Sequence, residues 1–355
     1  MNGNGATVKI RMVFQQMGTL KKYWALLKVF FQKWKLYGFS VAFSSIAFPL
    51  HHLFSSPRPF LGEKKHAAIF RYLLGHYSDV VHNFAKKNID STPTIDLQST
   101  IWVCWWDGYE SMPPLVKTCY SSIKQHAGTH PVQLITKHNF RDFISIPDYI
   151  LEKVDVGIMS VTHFSNIIRA NLLYEHGGIW MDATIFVIQD ILLENVPFYT
   201  LKAPAPKSSS VTLARFAGLS NPAARISNDT NPQTSRWYGF LLAGTKGSIV
   251  FEYMREILYA YWKDHDNQID YVLYDYTIAL GYEYIPVFKE LVDNVPCSVA
   301  EKFAMEKNLN REFSEEEYAQ YCKTPFHKLT WKNKFVTHTK DGKLSIYGYL
   351  LEQYK

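Results

Sequence analysis

The sequence predicts an α/β fold: a mostly parallel central sheet with helices on both faces, preceded by a helical extension. Three observations carry this. Between Thr100 and Val187, short apolar runs alternate with segments of helical period, the pattern of parallel strands joined by crossover helices. The stretch SVTHFSNIIRANLLYEHGGIWMDATIFV, Ser160 to Val187, holds a helix, a double glycine and a short apolar strand that ends on an acid. Residues 1–94 read as helical segments and a polar connector.

Residues 1–18 begin glycine-rich and polar, as a frayed terminus does. No n-region, apolar core and small-residue cleavage site open the chain in that order, so a secretory signal is not expected. From Leu20, apolar residues fall at Leu20, Trp24, Leu27, Phe31 and Trp34, an amphipathic helix with Lys21, Lys28 and Lys35 beside its apolar face. Leu36 to Pro57 lacks Asp, Glu, Lys and Arg. Gly38, Pro49, serines and two histidines nevertheless make it too interrupted for a membrane span, which needs about 20 predominantly apolar residues. His66 to Lys87 is a helix on Ile69, Leu73, Tyr77, Val80 and Phe84. The polar connector Asn88 to Ser99 then divides an extension, 1–94, from an α/β unit, 95–355.

Thr100 to Trp106 is the first strand, 113–126 its helix, Val132 to Thr136 the second strand, and 139–154 is helical. In the central stretch Phe164, Ile167, Ile168, Leu172 and Leu173 recur at helical spacing. Gly177 and Gly178 stop that helix where a left-handed residue is needed. Ile179 to Met181 is a buried strand that delivers Asp182 to its end, where ligands of open α/β sheets sit. Leu201 to Thr234, rich in Ser, Pro, Asn and Ala, reads as a long loop. Arg236 to Ala243 is a strand, Ser248 to Lys263 a helix, and helices follow near 269–280, 284–294 and 314–321.

Composition narrows the partners. The cysteines Cys104, Cys119, Cys297 and Cys322 have no C-x-x-C spacing, so reduced thiols of a cytosolic protein are expected. The aromatic share of 15% suits contact with sugars, bases or a membrane interface. The net charge of +6 is uneven: residues 1–62 hold eight Lys and Arg and no acid, leaving the remainder slightly negative. A basic arm on a near-neutral body points to an anionic membrane surface, with packing of the arm on the α/β unit as the alternative. No nucleic-acid motif accompanies it, and no nucleic-acid partner is expected.

Ser165-Asn166-Ile167-Ile168-Arg169 followed by Leu172 through Thr184 resembles the pattern S-D-x-x-R, L-L-Y-x-x-G-G-I-W-x-D-A-T of the capsular polysaccharide synthesis proteins. These are bacterial glycosyltransferases related to the DXD-containing sugar transferases of yeast mannan synthesis and the large clostridial toxins. Three further blocks match in order: IWVCWWDGYESMPPLVKTCYSSIK from Ile101, IDYVLYDYTIAL from Ile269, and KLTWK from Lys328. The resemblance covers about residues 99–350 and implies a GT-A-like catalytic domain.

It also implies roles. Trp105 corresponds to a tryptophan that stacks on the base, and only one of Trp105 and Trp106 can face the ligand. Arg169 would hold ribose or a sugar hydroxyl. Asn166 stands where relatives have Asp and lacks its charge. Asp182 would touch ribose and a divalent cation, Mn or Mg. The second acid of the D-x-D triplet is here Thr184, a poorer ligand for a hard cation, so either Asp182 holds the metal with water and phosphate or the metal is weak or absent. Lys328, Thr330, Trp331 and Lys332 resemble a segment that folds over the diphosphate. Asp275 and Asp270 are candidates for the acceptor side. The function implied is hexosyl transfer from a nucleotide sugar, UDP-linked, to a lipid-linked oligosaccharide of capsule or exopolysaccharide, with retention, by an enzyme peripheral on the inner face of the plasma membrane. A sugar-phosphate or nucleotidyl transferase, and a non-catalytic carbohydrate-binding scaffold, stay open.

Overall fold

The computed structural model describes residues 19–48, 50, 58–87, 94–96, 98–193, 195–203, 236–296 and 303–354. Two long helices come first, α1 (Thr19–Ala47) and α2 (Arg58–Ala85). Next come β1 (Ile101–Cys104), α3 (Pro114–Gln125), β2 (Val132–Ile135), α4 (Asp148–Asp155), α5 (Val161–Glu175), β3 (Gly178–Asp182) and β4 (Ile185–Val187). β5 (Phe198–Ala203), β6 (Arg236–Gly244), α6 (Ile249–Asp264), α7 (Leu273–Tyr284) and α8 (Pro286–Asp293) continue the chain. α9 (Ala304–Asn308), α10 (Glu315–Tyr321), β7 (Phe326–Lys328) and α11 (Ile346–Gln353) complete it.

The main sheet has the order β2-β1-β3-β6-β5. β1 is parallel to β2 and β3, while β6 runs antiparallel to β3 and β5. The expected α/β class is present as a mixed sheet with a parallel centre. Side chains alternate across the strands. Trp102, Trp180 and Leu242 meet α5, α6 and α7 on one face, and Ile101, Val103, Ile179 and Met181 meet α3 on the other. Tyr37 and Val41 of α1, and Ile69, Leu73 and Val81 of α2, join the first of these cores. A third cluster gathers Phe186 and Leu329 with α9 to α11 around the small β4-β7 sheet.

Two expectations need amendment. Leu201 does not open a loop. It lies in β5, whose pairing with β6 was hidden in a short mixed run after Pro197; residues 204–235 of that expected loop lie outside the described residues, as do 1–18, most of the connector 88–99, and Cys297. The first strand is also shorter than expected, ending at Cys104 and placing Trp105 and Trp106 in the turn beyond it. Cys104, Cys119 and Cys322 are free thiols.

Candidate active site

From β1 the chain moves to β2 on one side and then crosses to β3 on the other, so the parallel core has a topological switch point at β1. Crevices form beyond the carboxyl ends of strands at such points. Cys104 is in register with Asp182. Trp105 and Trp106 therefore leave β1 at the level where Asp182 ends β3.

Local chemistry fixes the acid there. Ser160 caps α5, accepting from the His163 N–H at 3.4 Å. The helix then stops at Gly177 and Gly178, with φ of 69° and 98°. A Cβ on Gly177 would lie 2.5 Å from the Lys246 nitrogen, and one on Gly178 would lie 2.3 Å from the Thr100 oxygen. Both positions require glycine for conformation and for room.

Asp182 sits between two cations. Its Oδ1 accepts from Arg169 Nη2 and Trp180 Nε1, both at 3.0 Å, and its Oδ2 accepts from Lys328 Nζ at 2.9 Å. Burial raises the pKa of this carboxyl, but Lys328 and Arg169 outweigh burial and hold it below the ordinary 3.8. The side chain is 28% exposed. Arg169 is held in turn: it donates to the Gly239 carbonyl and lies over the rings of Trp180, at 4.8 Å, and Tyr274, at 4.9 Å. Glu175, further along the same helix, pairs with Arg255 at 3.0 Å.

Lys328 arrives through β7, which pairs with β4 so that Lys328 is opposite Ile185. Its ammonium also donates to Thr184 Oγ1 at 2.7 Å and lies 5.1 Å from the Phe240 ring centre. Beyond β7 the chain turns. Thr330 is half-buried, Trp331 and Lys332 are exposed, and Thr330 Oγ1 accepts from the Lys332 N–H. Burial, and then the charge of Lys328, lower the Lys332 ammonium below its ordinary value. The charge of Lys328 thus bears on Lys332, a repulsion that an anion bound beside them would relieve.

The paired tryptophans diverge. Trp106 packs on Phe140 and Phe164, at ring separations of 5.4 Å. Trp105 donates from Nε1 to Ser111 Oγ at 2.9 Å and meets Trp331 edge-on at 5.9 Å. Trp105 is thereby the one beside the KLTWK segment. Asn166 is half-buried, one turn before Arg169 on α5. Asp275 lies in the first turn of α7. Tyr271 is 47% exposed, and its phenol is raised by burial and then by the charges of Asp182 and Asp275. Asp270 turns elsewhere: its Oδ2 is 2.6 Å from Lys65 on α2, away from Arg169 and Lys328.

Three N–H donors occupy the oxygens of Asp182 and the Thr184 hydroxyl accepts from Lys328, so a divalent cation held by Asp182 would have to displace Lys328, with phosphate and water completing its shell. Among the described residues, no group of three or more His, Cys, Asp and Glu side chains could hold a metal ion.

Trp180, inside the strand Ile179 to Met181, donates to Asp182, and Tyr274 lies against Arg169. The only available signal for Trp180 was its position two residues before Asp182 on the same strand, which puts both side chains on one face. The family model described as capsular polysaccharide synthesis protein matches residues 56–350. No curated protein matches.

Proposed function

Since the chain belongs to the capsular polysaccharide synthesis protein family, we propose that it is a glycosyltransferase. It moves a hexosyl unit from a nucleotide sugar, UDP-linked, to a lipid-linked oligosaccharide of capsule or exopolysaccharide. One observation carries this reading: Lys328 reaches Asp182 at the switch-point crevice, and the segment that continues from it sets Trp331 against Trp105. A nucleoside diphosphate is the ligand whose parts match that set.

In this reading Trp105 stacks on the base, which is worth roughly 1–3 kcal/mol. Asp182, held by Arg169 and Trp180, accepts from ribose or sugar hydroxyls. The bond from the anomeric carbon to the diphosphate oxygen breaks, and the bond from the acceptor oxygen to that carbon forms. The acceptor proton passes to the departing phosphate oxygen on the same face, so configuration is retained without a covalent intermediate. Lys328 and Lys332 neutralise the leaving diphosphate, where electrostatic stabilisation does most for the rate. Asp275 and Tyr271 bind the acceptor. No step passes through a metal.

The test is a thermal-shift screen of nucleotide sugars, followed by identification of the nucleotide released on turnover. Stabilisation grows with the ratio of free ligand to dissociation constant. Release of a nucleoside diphosphate is expected; a nucleoside monophosphate or pyrophosphate would mean the sugar-phosphate or nucleotidyl transferase. No shift with any donor would overturn both.

A further inference from the structure

We propose that the outward face of α1 docks on an anionic lipid surface, and that this docking fixes the acceptor side of the crevice. Helix α1 is bent at Gly38, φ 82°. Its inner face is committed to the protein. Lys33 donates to the Ile269 carbonyl at 2.7 Å and to Ser45 at 3.1 Å, and Tyr37 donates to the Asn267 carbonyl at 2.6 Å. Its outer face carries Trp24, Leu27, Phe31, Trp34, Phe39 and Phe43, with Trp24 71% and Phe31 58% exposed. The rings of this face touch in sequence across the bend, Phe31 to Trp34 at 6.2 Å, Trp34 to Phe39 at 5.7 Å and Phe39 to Phe43 at 5.8 Å. They form one continuous ridge, whereas exposed apolar residues on soluble surfaces are ordinarily scattered singly.

Charge selects the occupant. Residues 1–62 carry no acidic side chain, and Lys28 and Lys35 are exposed along the same helix. A second copy packed face to face about a two-fold axis would set these lysines against their own counterparts. Anionic headgroups would instead neutralise them while the aromatic rings enter the headgroup boundary. No helix of the described residues is long and apolar enough to cross a membrane, so this face lies on a bilayer rather than through it. The inner-face anchors end on Asn267 and Ile269, and α2 adds Lys65 to Asp270 at 2.6 Å and His66 to the Tyr276 hydroxyl. Tyr271 and Asp275 lie within that same stretch. A lipid-bound helix therefore grips the segment that faces the acceptor, which is the part resting on the transferase reading.

The test is vesicle flotation of the full chain, without nucleotide, on phosphatidylcholine with and without phosphatidylglycerol, at low and high salt. The protein is expected to float with phosphatidylglycerol vesicles and to detach as salt rises. Trp24→Ser with Phe31→Ser, and separately Lys28→Glu with Lys35→Glu, should each weaken binding about tenfold or more, with unchanged thermal midpoints because these side chains are exposed. Absence of phosphatidylglycerol-dependent flotation, or flotation untouched by both double variants, overturns the proposal. So does a dimer in sedimentation that Trp24→Ser with Phe31→Ser dissociates. Nucleotide-sugar binding measured without vesicles stays as in the wild type in both variants, so failure here leaves the transferase assignment standing.

Discussion

Lys328 and Asp182 lie 146 residues apart in sequence and 2.9 Å apart in the fold. The antiparallel pairing of β4 with β7 brings them together, because β4 starts three residues after Asp182. Asp182 is consequently clamped from two sides, by Arg169 from α5 and by Lys328 from β7. The same lysine that fixes the acid is positioned to meet a departing diphosphate.

Asp182→Asn keeps the shape of this side chain and removes its charge, leaving two cations facing an amide. Turnover is expected to fall by about 100-fold or more, and stability by roughly 1–3 kcal/mol, since the pair is only partly buried. Lys328→Met should give a comparable loss of turnover, with Lys328→Arg restoring part of it. Nucleotide-release assays and chemical denaturation measure the two effects. Full activity in Asp182→Asn would favour the non-catalytic scaffold. The folded-state pKa of Asp182 lies below 3.8, so its contribution is complete above that value and is lost only as pH falls beneath it. An acid limb of activity above about pH 5 would have to come from another group.

The two tryptophans after β1 should separate binding from folding. Trp105→Ala is expected to weaken nucleotide-sugar affinity by roughly 1–3 kcal/mol with little change in melting. Trp106→Ala removes packing against Phe140 and Phe164 and should destabilise the fold by about 2–4 kcal/mol. Calorimetric titration alongside thermal denaturation distinguishes them. The opposite assignment of effects would place Trp106 at the ligand.

What was legible in the sequence was what is local. The run from Ser160 to Asp182 states its own helix, stop and strand, because periodicity and the double glycine act over a few residues. Arg169 and Asp182 could each be picked out, but not their salt bridge, which depends on how α5 lies over β3. Lys328 was found through the resemblance alone, since its place beside Asp182 depends on a pairing between distant strands. Tyr271 and Tyr274 could not be assigned to crevice or core, because periodicity names the faces of a helix without saying which one meets the ligand. In the basic arm, sign alone does not say which lysines face outward: Lys33 turns inward to the Ile269 carbonyl.

Chelation tests the cation arrangement directly. With Lys328 and Lys332 supplying positive charge, EDTA should change turnover by less than about twofold, and added Mn should not restore Lys328→Met. Loss of activity on chelation with recovery on Mn would show that Asp182 exchanges its lysine for a metal when the donor binds.

Lys33 provides a test of how the arm sits on the body. Burial, partly countered by Asp270 and reinforced by Lys65, lowers its ammonium from 10.5 to about 8. Between those values the unfolded chain holds a proton that the folded chain lacks, so stability rises with pH across that window. Buried tyrosines act in the opposite direction at higher pH. The hydroxyls of Tyr37 and Tyr274 are raised from 10.0 to about 12, by burial first, so the folded chain keeps protons that the unfolded chain loses. The thiols of Cys104 and Cys119, raised from 9.0 to about 12 by burial, add to that opposite limb from about pH 9 upward. Urea unfolding measured from pH 7.5 upward should therefore show stability climbing through about pH 8 and declining beyond about pH 9. In Lys33→Met the climb should shrink while the decline remains, with Lys332, also lowered, supplying what is left of it. A profile unchanged by Lys33→Met would mean that Lys33 is solvated, and that the inner face of α1 is not packed on the segment around Ile269.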